Sequence, residues 1–188
     1  AKLIEDFLIN YQPDNKNTKV LGERLGNLSK SFFYLLNLKD LDYDFKIDLL
    51  KFLYQEASIL NSKVNENNNF DAKLWKLYEM NGLFKFSIFF KEFKSSKDWF
   101  LKSREEIENL SMSLNNEDFS FVQSSSSYLF DSLVLFYDIL EFASLNNIVF
   151  TQNFDKNIKN MTKFFINLSY PNGYSTSFGV SNYIKVNE

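Results

Sequence analysis

The residues with the most chemical promise surround Tyr128, which follows four serines, Ser124 to Ser127, and precedes a long apolar stretch from Leu129 to Ala143. A serine hydroxyl can accept a hydrogen bond from the free backbone N–H groups of a first helical turn. Ser124 or Ser125 is therefore the natural N-cap of a helix whose apolar residues recur at helical spacing. Tyr128 then falls in or beside the first turn of a buried helix. Unpaired N–H groups and the helix dipole make that end positive, which would stabilise a carboxylated ligand or a phenolate. The plainer expectation, which the residues alone favour, is a capped core helix that carries a tyrosine.

Composition removes several other chemistries. The 188 residues include no cysteine and no histidine. Disulfides, a cysteine nucleophile, a Ser-His-Asp triad and zinc sites built on His or Cys therefore lack their essential side chains, and no metal or cofactor is expected. The 21 basic and 24 acidic residues are scattered and sum to −3. Without a basic stripe, nucleic acid is not an expected partner. The richest apolar runs are interrupted by Lys85, Lys91, Asp131, Asp138 and Glu141, so no membrane span is expected. No signal peptide is visible at Ala1, where the chain opens on a helical pattern. The 22 phenylalanines predict a large aromatic core.

Long helices with polar connections must position Tyr128, because glycine and proline are few. The pattern predicts a first helix over about Lys2 to Tyr11, then a turn at Gln12 to Asn15. A second runs from Thr18 to Leu38, with Val20, Leu21, Leu25, Leu28, Phe32 and Leu35 inward. A third, capped by Asp42 or Asp44, reaches about Val64. The fourth, Phe70 to Phe93, is apolar on more than one face and should be central. The fifth begins at Ser95 or Ser96 and ends near Leu114, with Trp99, Ile107 and Leu110 inward. The helix bearing Tyr128 is the sixth, and a seventh runs from near Asn153 to Leu168. Tyr170 to Gly173 reads as a turn, and residues 169–188 as an irregular tail after a helical domain of residues 1–168. Short connections predict antiparallel hairpins, which build a bundle, a solenoid or a toroid; periodicity goes no further than a single all-α domain.

Several segments, taken in order, resemble the heparinase II/III-like polysaccharide lyases. Met80-Asn81-Gly82-Leu83-Phe84 is similar to the family's Asn-His-Gly-Leu helix, and Phe93 to Trp99 to its following aromatic-Lys and Trp segment. Gln123 to Tyr128 resembles the Glu-x-Ser-x-x-Tyr-His element. Tyr170-Pro171-Asn172-Gly173, then Gly179-Val180-Ser181-Asn182, resembles the stretch closing the family's helical domain. Val20 to Asn27 is similar to its early Arg-x-x-Asn helix.

The resemblance implies an incomplete (α/α) toroid of about seven helices that holds an acidic polysaccharide, followed by a β-sheet domain beyond this chain. It also implies a periplasmic or secreted setting, although the absence of cysteine suits the cytosol equally. The reaction it implies is β-elimination at a uronic acid. Tyr128 would carry protons, Asn81 and Gln123 would bind the sugar carboxylate, Ser125 would order the loop, and Arg24 would hold an anionic group. The departures are specific. Without a gap the neutralising Asn falls on Met80, and a one-residue shift restores it to Asn81. Gln123 replaces an acid, while Leu129 and Tyr170 replace histidines. The alternatives are a catalytically degenerate glycan-binding or scaffolding domain and, with no sugar connection, a helical protein–protein module. For Arg24 a surface or inter-helix ion pair is the plainer expectation, and Trp75, Tyr78 and Trp99 could stack on sugar rings but core packing is the plainer expectation for each.

Overall fold

The computed structural model describes residues 17–38, 42–63, 70–114 and 125–177, and the expected helix over Lys2 to Tyr11 lies outside them. Among the described residues there are six helices: α1 Thr18–Leu36, α2 Tyr43–Lys63, α3 Phe70–Phe89, α4 Ser96–Ser113, α5 Ser126–Leu145 and α6 Gln152–Asn167. Three start where a polar side chain reaches a first-turn N–H. Asn17 accepts from Val20 at 3.3 Å, Ser125 from Tyr128 at 3.5 Å and Thr151 from Phe154 at 3.3 Å. None of the described helices is long and apolar enough to cross a membrane. The chain divides into two compact units, Ala1–Asn67 with Tyr78–Arg104, and Asn68–Leu77 with Glu105–Glu188, so the division falls within α3 and α4.

In the first unit α1 and α2 form an antiparallel hairpin. Near the turn, Lys46 Nζ donates to the carbonyls of Leu36 and Leu38 at 3.2 and 3.4 Å, and further along the pair Arg24 meets Glu56. Leu21, Leu25 and Phe32 on α1 and Leu49, Leu53 and Leu60 on α2 are buried at helical spacing. Val20, expected to face inward, is instead 44% exposed, in the first turn of α1.

Helix α3 crosses α1 at unusually short range. A Cβ on Gly22 would stand 2.4 Å from the Tyr78 carbonyl oxygen, and one on Gly82 would stand 2.2 Å from the Gly22 carbonyl oxygen. Only residues without a side chain allow that approach. Beyond the crossing, α3 ends at Phe89 rather than Phe93, although the apolar run continues. Phe90 and Phe93 lie in the following turn and still join the core: ring centroids are 4.8 Å apart for Phe86 and Phe90, and 5.2 Å for Phe32 and Phe90. Ser96 Oγ donates to the Phe90 carbonyl at 2.6 Å, which satisfies backbone the helix has released.

In the second unit α5 and α6 are antiparallel. The Phe130 and Phe165 rings lie 5.7 Å apart, and the Tyr137 and Thr162 hydroxyls 2.9 Å apart. Leu129, Leu133, Phe136, Ile139 and Phe142 are buried on α5, and Phe154, Ile158, Met161 and Phe165 on α6. Beyond the C-cap of α5, Asn146, the residue Asn147 has a φ of 57°, and the Ile148 N–H reaches the Ala143 carbonyl at 2.9 Å. Trp75 on α3 is 42% exposed, so it is not the core residue its apolar neighbours suggest. After α6, Gly173 at φ 82° turns the chain and Ser169 pairs with Ser175 in a single antiparallel bridge.

Candidate functional site

The first turn of α5 is built around Ser125. This residue has extended backbone, is 1% exposed, and accepts the Tyr128 N–H at the long distance of 3.5 Å, while its carbonyl accepts from Leu129 N–H at 3.2 Å. Of the two serines the pattern allowed, Ser125 is therefore the cap, and Tyr128 is the third helical residue. Ser132 Oγ donates back to the Tyr128 carbonyl at 2.8 Å. Leu129, at the position where the family carries histidine, is 0% exposed and belongs to the core. The Tyr128 ring is half-buried. Gln123 lies outside the described residues.

Asn81 and Arg24 belong to the first unit, and Ser125 and Tyr128 to the second. Asn81 is 7% exposed and adjoins Gly82, at the glycine crossing. Met80, the ungapped counterpart of the family's asparagine, is 0% exposed and apolar. Of the two registers, only Asn81 offers an amide.

Arg24 lies on α1, two residues past Gly22, and its guanidinium is engaged by Glu56 on α2. Nε donates to Oε1 at 3.0 Å and to Oε2 at 3.1 Å, and a second nitrogen also meets Oε1. Glu56 is 1% exposed. Burial pushes its carboxyl above the usual glutamate range, and the Arg24 hydrogen bonds and charge oppose that rise. Of the surface and inter-helix ion pairs that are the plainer expectation for Arg24, the structure has the inter-helix one. The partner of Arg24 was not singled out from the sequence, yet a signal existed. Leu53, Glu56, Ala57 and Leu60 share one helical face, and an acid on a buried face requires a counter-charge.

Chemically, then, the α5 terminus offers a phenol beside a cap whose bond is near the limit of hydrogen-bond length, at a helix end that favours anions. The α1 and α3 crossing holds a buried amide next to a rigid backbone contact.

The chain belongs to the Heparinase II/III N-terminus family, whose model matches residues 16–187. Its fold is the all-α, incomplete (α/α) toroid that the resemblance implied, and solved structures agree. The chain is similar to a heparinase III crystal structure, with a TM-score of 0.78, 14% identity, and coverage of 92% of this chain and 27% of that one. It is also similar to heparan sulfate lyase HepC from Pedobacter heparinus, with a TM-score of 0.72, 21% identity, and coverage of 95% and 28%. A heparinase III gene product with methylated lysines gives a TM-score of 0.72 at 19% identity, covering 97% and 27%. The chain therefore spans somewhat over a quarter of the length of these structures. No curated protein sequence matches it significantly.

Proposed function

We propose that this chain is the helical domain of a polysaccharide lyase that cleaves a uronate-containing glycan by β-elimination. The observation that carries the reading is the Ser125-capped first turn that places Tyr128 at the positive end of a 20-residue helix, in a chain of the heparinase II/III family. Tyr128 takes the proton from C5 of the uronic acid. The C4–O bond then breaks as the C4=C5 double bond forms, and a proton returns to the leaving oxygen. Asn81 and Gln123 hold the carboxylate where enolate charge develops, and Ser125 fixes the turn. Arg24 acts through Glu56, as a positioning residue that ties α1 to α2. A second proton carrier comes from a β-sheet domain of the same protein, because this chain has no histidine. The setting proposed is periplasmic or secreted, on the resemblance alone.

A second reading, a degenerate domain that binds or scaffolds without turnover, is favoured by the missing histidines and by the engagement of Arg24 with Glu56. A panel of uronate polysaccharides incubated with the full-length protein separates the two. Growth of the ultraviolet absorbance of an unsaturated uronate supports the lyase, and binding without absorbance supports the degenerate domain.

A further inference from the structure

The first turn of α5 contains a second serine whose situation differs from that of the cap. Ser126 is the first helical residue and is 0% exposed, and its Oγ has no hydrogen-bond partner among the described residues. A buried hydroxyl without a partner is destabilising, and a native protein that keeps one calls for a reason, such as an ion or ligand that completes it. Ser126 also sits where such a ligand would be favoured. In a helix each Cα–Cβ bond tilts toward the N-terminus, so its Oγ lies toward the end at which the first-turn N–H groups are directed. One of those, the Tyr128 N–H, donates to Ser125 Oγ at the long distance of 3.5 Å.

A second buried serine supplies the contrast. Ser29 is likewise 0% exposed and its Oγ unpartnered, but it lies in the interior of α1, where N–H groups are consumed by the helix itself. It has an orphan hydroxyl without a converging set of donors.

We propose that Ser126 Oγ and the first-turn N–H groups of α5 bind a carboxylate oxygen of the sugar on which Tyr128 acts. The inference rests on the lyase reading for the role of Tyr128 and adds the group that orients the substrate beside it. The carboxylate is bonded to C5, the atom that loses the proton. Holding it two residues from Tyr128 therefore sets the reacting carbon near the phenol.

The test compares binding of glucuronate and glucose, which differ at the carboxylate, to the full-length protein and its Ser126→Ala and Ser29→Ala variants by calorimetry, alongside thermal melts. Glucuronate should bind the wild type more tightly than glucose, and Ser126→Ala should weaken glucuronate about tenfold, as expected for a hydrogen bond to a charged group. Both variants should melt no lower than the wild type, because each loses an unsatisfied group. Ser29→Ala should leave glucuronate binding unchanged. Equal glucuronate binding by wild type and Ser126→Ala, no glucuronate binding by the wild type, or no preference over glucose would each overturn the inference. Because binding is read without turnover, absence of elimination activity would end the lyase reading and not this one, and equal binding would end this one even in an active lyase.

Discussion

Gly22 on α1 and Gly82 on α3 meet backbone to backbone, so closely that a methyl group on Gly82 would lie 2.2 Å from the Gly22 carbonyl oxygen. Neither helix can yield by rotating a side chain, because the obstructing atoms are main chain. The contact lies beside Asn81 and two residues from Arg24, and so fixes the helices that carry both.

Replacing either glycine with alanine should therefore cost much more than helix propensity, which favours alanine, can return. Gly22→Ala or Gly82→Ala is expected to destabilise by about 3 kcal/mol, lowering the melting temperature by roughly 6–12 °C for a domain of this size. A Cβ on Gly26 would meet the Lys85 Cδ, the flexible part of a side chain, at 3.4 Å and the Gly82 Cα at 3.6 Å, both ordinary van der Waals contacts, so Gly26→Ala should be near neutral. Circular dichroism melts of the three variants decide the matter; equal losses would contradict the crossing.

The Arg24 and Glu56 pair predicts a pH dependence. Burial raises the Glu56 carboxyl, so the folded chain holds its proton more tightly than the unfolded chain does. Stability therefore falls as pH rises from the ordinary glutamate value, about 4.3, through the raised folded value. Arg24→Met removes the opposing hydrogen bonds and charge, which lifts the folded value further and extends the falling range upward. The variant should lose about 3 kcal/mol or more near pH 7.5 and clearly less near pH 5, where Glu56 takes up a proton. Urea midpoints at the two pH values measure it, and a loss independent of pH would show that Glu56 is not the group left uncompensated.

Helix caps should rank by their geometry. Thr151 Oγ accepts from Phe154 at 3.3 Å and donates to Glu108 at 2.9 Å, whereas the Ser125 cap bond is 3.5 Å long. Thr151→Ala is expected to cost about 1 kcal/mol and Ser125→Ala about half as much. Denaturant unfolding that reversed this order would mean that Ser125 binds the α5 turn more firmly than its geometry implies.

Much of this was legible in the sequence where the cause is local. The serine run marks the start of α5 because a hydroxyl can satisfy a first-turn N–H, and the same rule places the start of α6 only approximately. Thr151, two residues before the expected Asn153, is the residue whose oxygen reaches a backbone donor. The end of α3 was misplaced for the opposite reason. Phe90 and Phe93 continue the apolar pattern, but they are buried from a turn, and hydrophobicity records burial without recording backbone shape.

What depends on distant partners was less visible. Gly82 reads as a helix-weakening residue when only its own helix is considered; its value lies in Gly22, sixty positions away. Glu56 looks like one acid among many until its face is seen to be buried. At the site, the position of Tyr128 in its turn could be read directly, whereas the orphan hydroxyl of Ser126 has no counterpart in the pattern of residue types.

The most direct test of the account is the initial rate of unsaturated-uronate formation by the full-length protein and its Tyr128→Phe variant on the same polysaccharide, with circular dichroism confirming that both are folded. The account predicts measurable elimination by the wild type and a loss of about a hundredfold or more in the variant, the scale expected when a proton carrier is removed. An unchanged rate in Tyr128→Phe would contradict it.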